Sequence, residues 1–164
     1  MPIYISPEGH ARIVKEYNAL LHDERPRITA EVAYAASLGD RSENSEYIYG
    51  KQRMREIDRR LRYLQQRLEN TTVIDAAGET KDVIGFGATV EVEDADGAPA
   101  TWTFLGEDEV DIAQGIASLA SPLGKALVGK RVGEEVTWQT PRGPRELLVV
   151  ALRYPHAHAP DERA

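Results

Sequence analysis

The sequence predicts an α+β chain of two domains, a long antiparallel helical hairpin (a coiled coil) followed by a small antiparallel sheet with one short helix. Two observations carry this reading. Apolar residues recur every three to four positions from Ile13 to Leu38 and again from Met54 to Leu68, the spacing of one buried helical face. After Asn70 the texture changes to short stretches of alternating apolar and polar residues separated by Gly- and Pro-containing turns, the pattern of half-buried strands.

The first helix starts at Ser6-Pro7-Glu8, with Ser at the N-cap, Pro at the first helical position and an acid in the first turn. Ile13, Tyr17, Leu20, Leu21, Ile28, Val32, Ala35 and Leu38 form its apolar stripe. Pro26 interrupts that stripe and predicts a kink or a 3₁₀ turn near Asp23–Arg25. Gly39 ends the helix. In the second helix, Met54, Ile57, Leu61, Leu64 and Leu68 step by 3, 4, 3 and 4, a heptad seam that extends back through Gly50 to Tyr47. Two helices of roughly 30 residues with a short connection pack as a hairpin about 45 Å long.

The remaining elements follow from their turns. Residues 76–81 read as a linker between an N-terminal domain over 1–75 and a C-terminal domain over 82–154. "ATVEVED-ADG-APATWTFLG" is a strand pair about an Asp96-Gly97 turn, and "EEVTWQT-PRG-PRELLVVALRY" is another about Pro141-Arg142-Gly143. "SPLGKALVGK", with Pro122 early and Gly129 late, is the short helix. Residues 155–164 are polar and rich in Pro and Ala, and read as a loose tail.

Composition narrows the function classes. The chain has 164 residues, 41% hydrophobic and 29% charged, as in a soluble globular protein with a real core. No apolar run approaches the roughly 20 residues of a membrane span, and the start lacks a secretory signal, so a cytoplasmic protein is expected. The absence of Cys excludes disulfides and thiolate metal sites. Net charge is −7, yet Gly50 to Glu69 holds seven basic and three acidic residues, +4, leaving −11 elsewhere. A local positive field of this kind can guide a polyanion to an acidic protein.

Chemistry concentrates at the turn between the helices, "SLGDRSENSEY". Asp40 and Glu43 have the spacing of a capping box, Asp40 as N-cap and Glu43 three residues on. The same carboxylates, ionised at a helix N-terminus, also suit a hard cation such as Mg²⁺ whose remaining ligands come from a partner. The two roles compete for the same oxygens, and the sequence leaves both open. Behind the turn, Arg53, Arg60 and Arg67 lie seven apart on one stripe, and Arg55, Arg59 and Arg62 form a second. They are either a solvated flank balanced by Glu56 and Asp58 or a contact for phosphates or an acidic wall. His156 and His158 lack companions at ligand spacing, and "GEDEVDI", Gly106 to Ile112, reads as a solvated acidic loop. No Ser/His/Asp set, P-loop or GxGxxG occurs, which argues against a self-sufficient enzyme.

"AASLGDRSENSEY" followed by "KQRMREIDRRLRYLQQRLEN" closely resembles the Gre family of bacterial transcript cleavage factors, in its GreB branch. "GEDEVDI", "SPLGKALVGKRVGEEV" and the final "LRY" are similar to the family's C-terminal domain, so the resemblance spans about Ile3 to Tyr154. It implies a C-terminal domain of FKBP-like fold that docks on RNA polymerase, and a hairpin whose tip enters the polymerase secondary channel. It implies a monomer with no cofactor of its own, acting on the Mg²⁺ of the polymerase active centre and on the nascent RNA 3′ segment of a backtracked complex. By this resemblance Asp40 and Glu43 are the metal-supporting acids, and Glu46 and Tyr47 orient substrate or water. Lys51, Arg53, Arg55, Arg59 and Arg60 are the RNA-contacting basic patch. Arg53 and Arg60 are favoured within it, because no acid lies beside them on their own stripe. Ser121 and Pro122 match the docking segment, although Ala120 stands where relatives often carry Asp or Asn.

Two rivals remain beside a cleavage-stimulating factor. One is a channel-binding polymerase regulator without cleavage activity, against which both tip acids argue. The other is a peptidyl-prolyl isomerase or chaperone with a coiled-coil handle. It needs an aromatic-lined pocket, whereas Trp102, Phe104 and Trp138 read as core on alternating strand positions.

Overall fold

The computed structural model describes residues 3–39 and 44–158. It comprises two units, residues His10–Thr71 in one, and the N-terminal residues through Gly9 together with the chain from Thr72 in the other. The division differs from the expected 1–75 and 82–154. The reason is local: a first strand, Ile3–Ile5 (β1), pairs with Thr71–Val73 (β2), and the Ile74 N–H donates to the Ile5 carbonyl at 2.8 Å.

In the helical unit, a helix over Pro7–Ala19 (α1) passes through Leu20–Glu24 into a second helix, Arg25–Ser37 (α2). The expected 3₁₀ turn at Asp23–Arg25 is instead a wide π turn, in which the Arg25 N–H bonds the Leu20 carbonyl. Pro26 explains the difference. It offers no N–H to the His22 carbonyl, and widening the preceding turn makes room for its ring where tightening would not. The third helix, Ser45–Asn70 (α3), runs antiparallel to the first two. Contacts step backward along one as they step forward along the other, from Asn44 on Ala35 through Thr29 on Met54 and Arg25 on Asp58 to Arg60 on Glu16. The seam is largely as its spacing predicts: Ile57, Leu61 and Leu64 are buried, as are Leu20, Ile28 and Ala35. Gly50 belongs to the seam by necessity, since a Cβ there would lie 2.5 Å from Val32 Cγ2.

The other unit carries a five-stranded sheet in the order β5-β4-β3-β7-β6. Thr89–Asp94 (β3) and Pro99–Leu105 (β4) form the first predicted hairpin, and Glu135–Thr140 (β6) and Gly143–Arg153 (β7) form the second. β3 and β7 pair antiparallel at the centre, with a bulge at Glu91/Val92. An edge strand that the turns did not predict, Ile116–Ser118 (β5), pairs parallel to β4. The short helix, Pro122–Leu127 (α4), is capped by Ser121, whose Oγ accepts the Gly124 N–H at 3.2 Å. Alternation delivers Val90, Val92, Phe104 and Val149 to the core beside Leu127 and Ile84. Each such buried side chain contributes about 1.5–3 kcal/mol relative to exposure.

Two expectations are refined here. "GEDEVDI" is exposed at Glu107 and from Val110 to Ile112, but Glu107–Glu109 form a 3₁₀ turn and Glu109 is 5% exposed. Its carboxylate accepts the Ser6 hydroxyl, the Ser6 N–H at 3.1 Å and the Gly106 N–H at 2.9 Å. Ser6 Oγ in turn accepts the Gly9 N–H at 3.0 Å, so the predicted N-cap is present and is itself held by Glu109. Residues 155–158 of the expected tail are exposed but held at two points, and 159–164 lie outside the described residues. Pro155 accepts the Gly78 N–H at 2.9 Å, and His158 Nε2 lies 2.8 Å from Asp75 Oδ2. The Ala77 N–H and the His158 ring together hold the Asp75 carboxyl below the usual carboxylate range.

That shift predicts a pH dependence. A folded pKa below the unfolded value of about 3.9 means the contribution of Asp75 is present above that value. It is lost as pH falls through the folded pKa. In an NMR titration, the Asp75 side chain should protonate below a model-peptide Asp, and His158→Ala should bring it part of the way back.

Candidate functional site

Among the described residues, one side chain joins the two helix ends. Asn44 precedes α3 with an extended backbone (φ −85°, ψ 101°), and its Oδ1 accepts the Tyr47 N–H at 3.2 Å. Its Nδ2 donates to the Ala35 carbonyl at 2.8 Å. One amide therefore satisfies a free donor of α3 and adds a second bond to an α2 carbonyl that already accepts the Leu38 N–H. Gly39, at φ +131°, follows the last helical turn of α2 in a conformation that disfavours other residues. Asp40 and Glu43 lie outside the described residues. The cap of α3 is nevertheless assigned to Asn44, four residues beyond the expected Asp40. The first turn of α3 then holds Glu46, exposed, and Tyr47, half-buried with the Lys51 ammonium 6.0 Å from its ring.

The basic residues separate into two groups, not along the expected line. Arg53 lies 2.6 Å from Glu24 and 3.1 Å from Glu56, and these carboxylates raise its pKa. Arg60 makes a bidentate contact with Glu16 at 2.7 and 3.0 Å and lies 5.1 Å from the Tyr63 ring. The two arginines favoured from sequence are thus engaged by acids of the facing helical segments, which the one-helix stripe could not reveal. Each such pair is worth at most about 1 kcal/mol on an exposed flank, but it occupies the guanidinium. Arg55, Arg59 and Arg62 are exposed and carry no ion pair among the described residues. With Lys51 they are four, four and three residues apart, one continuous stripe along α3. Of the basic patch expected from the resemblance, Lys51, Arg55 and Arg59 are exposed with no ion pair among the described residues, Arg62 continues their stripe, and Arg53 and Arg60 are ion-paired. Beside this stripe lies a cleft of about 320 Å³ lined by Lys51, Arg55, Met54, Thr29 and Asp58. Asp58 itself holds Arg25 at 2.8 Å.

In the sheet unit, Ser121 and Pro122 stand at the start of α4, where Ser121 Oγ also donates to the Ser118 carbonyl at 2.6 Å. They border an apolar groove of about 270 Å³ lined by Trp102, Val110, Ile112, Pro122, Trp138 and Pro141. The expectation that Trp102, Phe104 and Trp138 are all core holds for Phe104 alone, which is fully buried. Strand alternation does not separate the three, because both tryptophans pack their inner edge on the core and leave the other to the groove. Among the described residues, no cluster of three or more His, Asp or Glu is placed to hold a metal, and no helix is long and apolar enough to cross a membrane.

Comparison with known proteins bears on both units. A family model described as transcription elongation factor, N-terminal, matches residues 3–73, and one described as transcription elongation factor, GreA/GreB, C-term, matches residues 79–154. A protein of Pseudomonas aeruginosa named transcription elongation factor GreB is 47% identical over 153 residues, covering 93% of this chain and 91% of the relative. The protein of that name from Yersinia pestis is 44% identical over 151 residues, covering 92% and 88%. Among solved structures, the GreA factor homolog 1 (Gfh1) of Thermus thermophilus is 26% identical, covers 93% of this chain and 99% of its own, and has a TM-score of 0.43. With a capped helical hairpin in one unit, a curled sheet in the other, and sequence matches running through both, this chain belongs to the GreA/GreB family of transcription elongation factors and is GreB-like.

Proposed function

We propose that this protein binds RNA polymerase, inserts its hairpin tip into the secondary channel and stimulates cleavage of backtracked RNA 3′ ends, rescuing arrested complexes. The observation that carries the reading is the Asn44 bridge. It fixes the end of α2 and the start of α3 against each other, on either side of the segment that contains Asp40 and Glu43. Because Asn44 supplies the cap, capping α3 does not require either acid. In this reading their carboxylates would serve as ligands lent to the Mg²⁺ of the polymerase active centre. When bound, that ion would supply a water activated for attack on the RNA phosphodiester. Within this chain, Tyr47, in the first turn of α3, orients substrate or water.

Lys51, Arg55, Arg59 and Arg62 contact the extruded RNA segment through its phosphates, while Arg53 and Arg60 hold the hairpin together. The Trp102/Trp138 groove beside Ser121 and Pro122 is the docking surface for polymerase, which gives those two tryptophan edges a role the isomerase reading would otherwise claim. The whole-length match to GreB-named relatives favours the elongation factor. The protein acts as a monomer in the cytoplasm.

The test is a stalled, backtracked polymerase complex with Mg²⁺, followed by RNA length. Wild-type protein should release short 3′ fragments; binding without fragments would establish the channel-binding regulator instead. Arg55→Ala/Arg59→Ala/Arg62→Ala should weaken the effect and flatten its salt dependence, roughly 0.7 per lost phosphate contact in a log–log plot for single strands. Arg53→Ala should instead reduce hairpin stability by about 0.5 kcal/mol with the salt slope kept. A salt-independent loss in the triple variant would rule out the phosphate contacts.

A further inference from the structure

The hairpin has a second flank, chemically unlike the first. At 100° per residue, Ser45, Glu46 and Tyr49 point to the side of α3 opposite Lys51, Arg55 and Asp58. Glu31 and Tyr34 lie on the matching side of α2. These residues and Gly50 line an open cleft of about 560 Å³. Its walls repeat one arrangement, a Glu three residues before a Tyr on each helix, Glu31/Tyr34 and Glu46/Tyr49. Gly50 allows the approach of the helices that brings the walls together, through its contact with Val32. Both tyrosines are 66% exposed, unusual for large aromatic rings on a free surface. Neither ring has a partner among the described residues, and Glu46 has none either. Glu31 has only Arg27 on its own helix, at 3.6 Å.

Two aromatic faces edged by two carboxylates select against phosphates and for a cation. Of the protein cations, a guanidinium fits best: it stacks flat on aromatic rings, forks onto carboxylates and is weakly hydrated, whereas an ammonium is a compact, strongly hydrated point. We propose that the Glu31/Tyr34/Glu46/Tyr49 cleft is a guanidinium site that receives an arginine side chain of the polymerase. The identity of the partner rests on the function proposed above; the chemistry of the cleft does not. The hairpin then has two differently charged sides, a basic one for RNA phosphates and an acidic, aromatic one for a basic protein wall. Such a pair of flanks also sets the rotational orientation of the hairpin, because reversing it would bring like charges together.

The full chain, with its tyrosine rings isotopically labelled, is titrated with N-acetylarginine amide, N-acetyllysine amide and a short oligouridylate while ring resonances are followed. Tyr34 and Tyr49 should shift saturably with the arginine amide, roughly fivefold tighter than with the lysine amide, and the response should vanish in Glu31→Gln/Glu46→Gln. No arginine response, an equal response to lysine, or a response to the oligouridylate instead would overturn the site. In a second arm, Tyr34→Ala/Tyr49→Ala should weaken polymerase binding about tenfold, and Tyr34→Phe/Tyr49→Phe, which keeps the rings, should retain it. Wild-type affinity in the alanine variant would overturn the polymerase as the partner. If wild-type protein itself fails to bind polymerase, the proposed function fails, and the ring titration still decides the guanidinium site.

Discussion

Asp40→Asn and Glu43→Gln should each reduce stimulated RNA cleavage by about a hundredfold or more, while thermal unfolding of the chain stays within about 0.5 kcal/mol of wild type. Each amide keeps the shape of the side chain and removes its anionic oxygen, so a loss confined to cleavage isolates charge from packing. The stability half of the expectation comes from Asn44. Had Asp40 capped α3, its replacement would cost about 1 kcal/mol, and cleavage would fall partly because the helix start frayed. With Asn44 in that place, the cost belongs to Asn44→Ala. That variant loses both the Tyr47 and the Ala35 bond and should destabilise the hairpin by about 1–2 kcal/mol. Circular dichroism melts beside the RNA assay separate the two. Full cleavage by either acid variant would remove these carboxylates from the metal-supporting role, and a melt shifted by more than the Asn44→Ala melt would return them to capping.

Glu109→Ala should be the most damaging single change outside the apolar core, at about 3 kcal/mol. Removing the carboxylate leaves the Ser6 N–H, the Gly106 N–H and the Ser6 hydroxyl without their acceptor in a place water reaches poorly. Each unsatisfied buried donor costs about 1–3 kcal/mol. Glu109→Gln does not rescue it fully, because the amide NH₂ turns a donor toward at least one of those donors. The effect should appear as a lower denaturant midpoint, and in faster amide exchange at Ser6 and Gly106 than at Val90 or Phe104. Unchanged exchange at Ser6 would show that the carboxylate contributes nothing to holding β1 and the start of α1.

The burial of Glu109 and the ion pairs of Arg53 and Arg60 are hidden from the sequence for the same reason. A sequence window displays neighbours along one element, and in such a window an acid between acids is a solvated loop and an arginine without a nearby acid is free. The partners that reverse both assignments lie far away in the chain: Ser6 is 103 residues from Glu109, and Glu24 and Glu16 are 29 and 44 residues from Arg53 and Arg60. Asn44 was legible in principle, being a preferred N-cap residue directly before Ser-Glu-Tyr. The capping-box spacing four residues earlier competes with it, and local spacing does not rank the two. The π turn before Pro26 was half legible: the position of the disturbance followed from the missing N–H, but not whether the helix would tighten or widen there.

What the sequence determined by itself is everything that depends on periodicity and local stereochemistry. The seam of Ile57, Leu61 and Leu64, both strand hairpins, the Ser121-capped α4 and the place of the tip segment all follow from side chains a few residues apart. Only the tertiary structure decided which charges are neutralised and which are offered. It left Lys51, Arg55, Arg59 and Arg62 in solvent, buried Glu109, and turned one edge of Trp102 and Trp138 into a groove. The physical reason is that a charge or an aromatic edge is available only if nothing across the fold already satisfies it, and that partner is chosen by packing between distant segments.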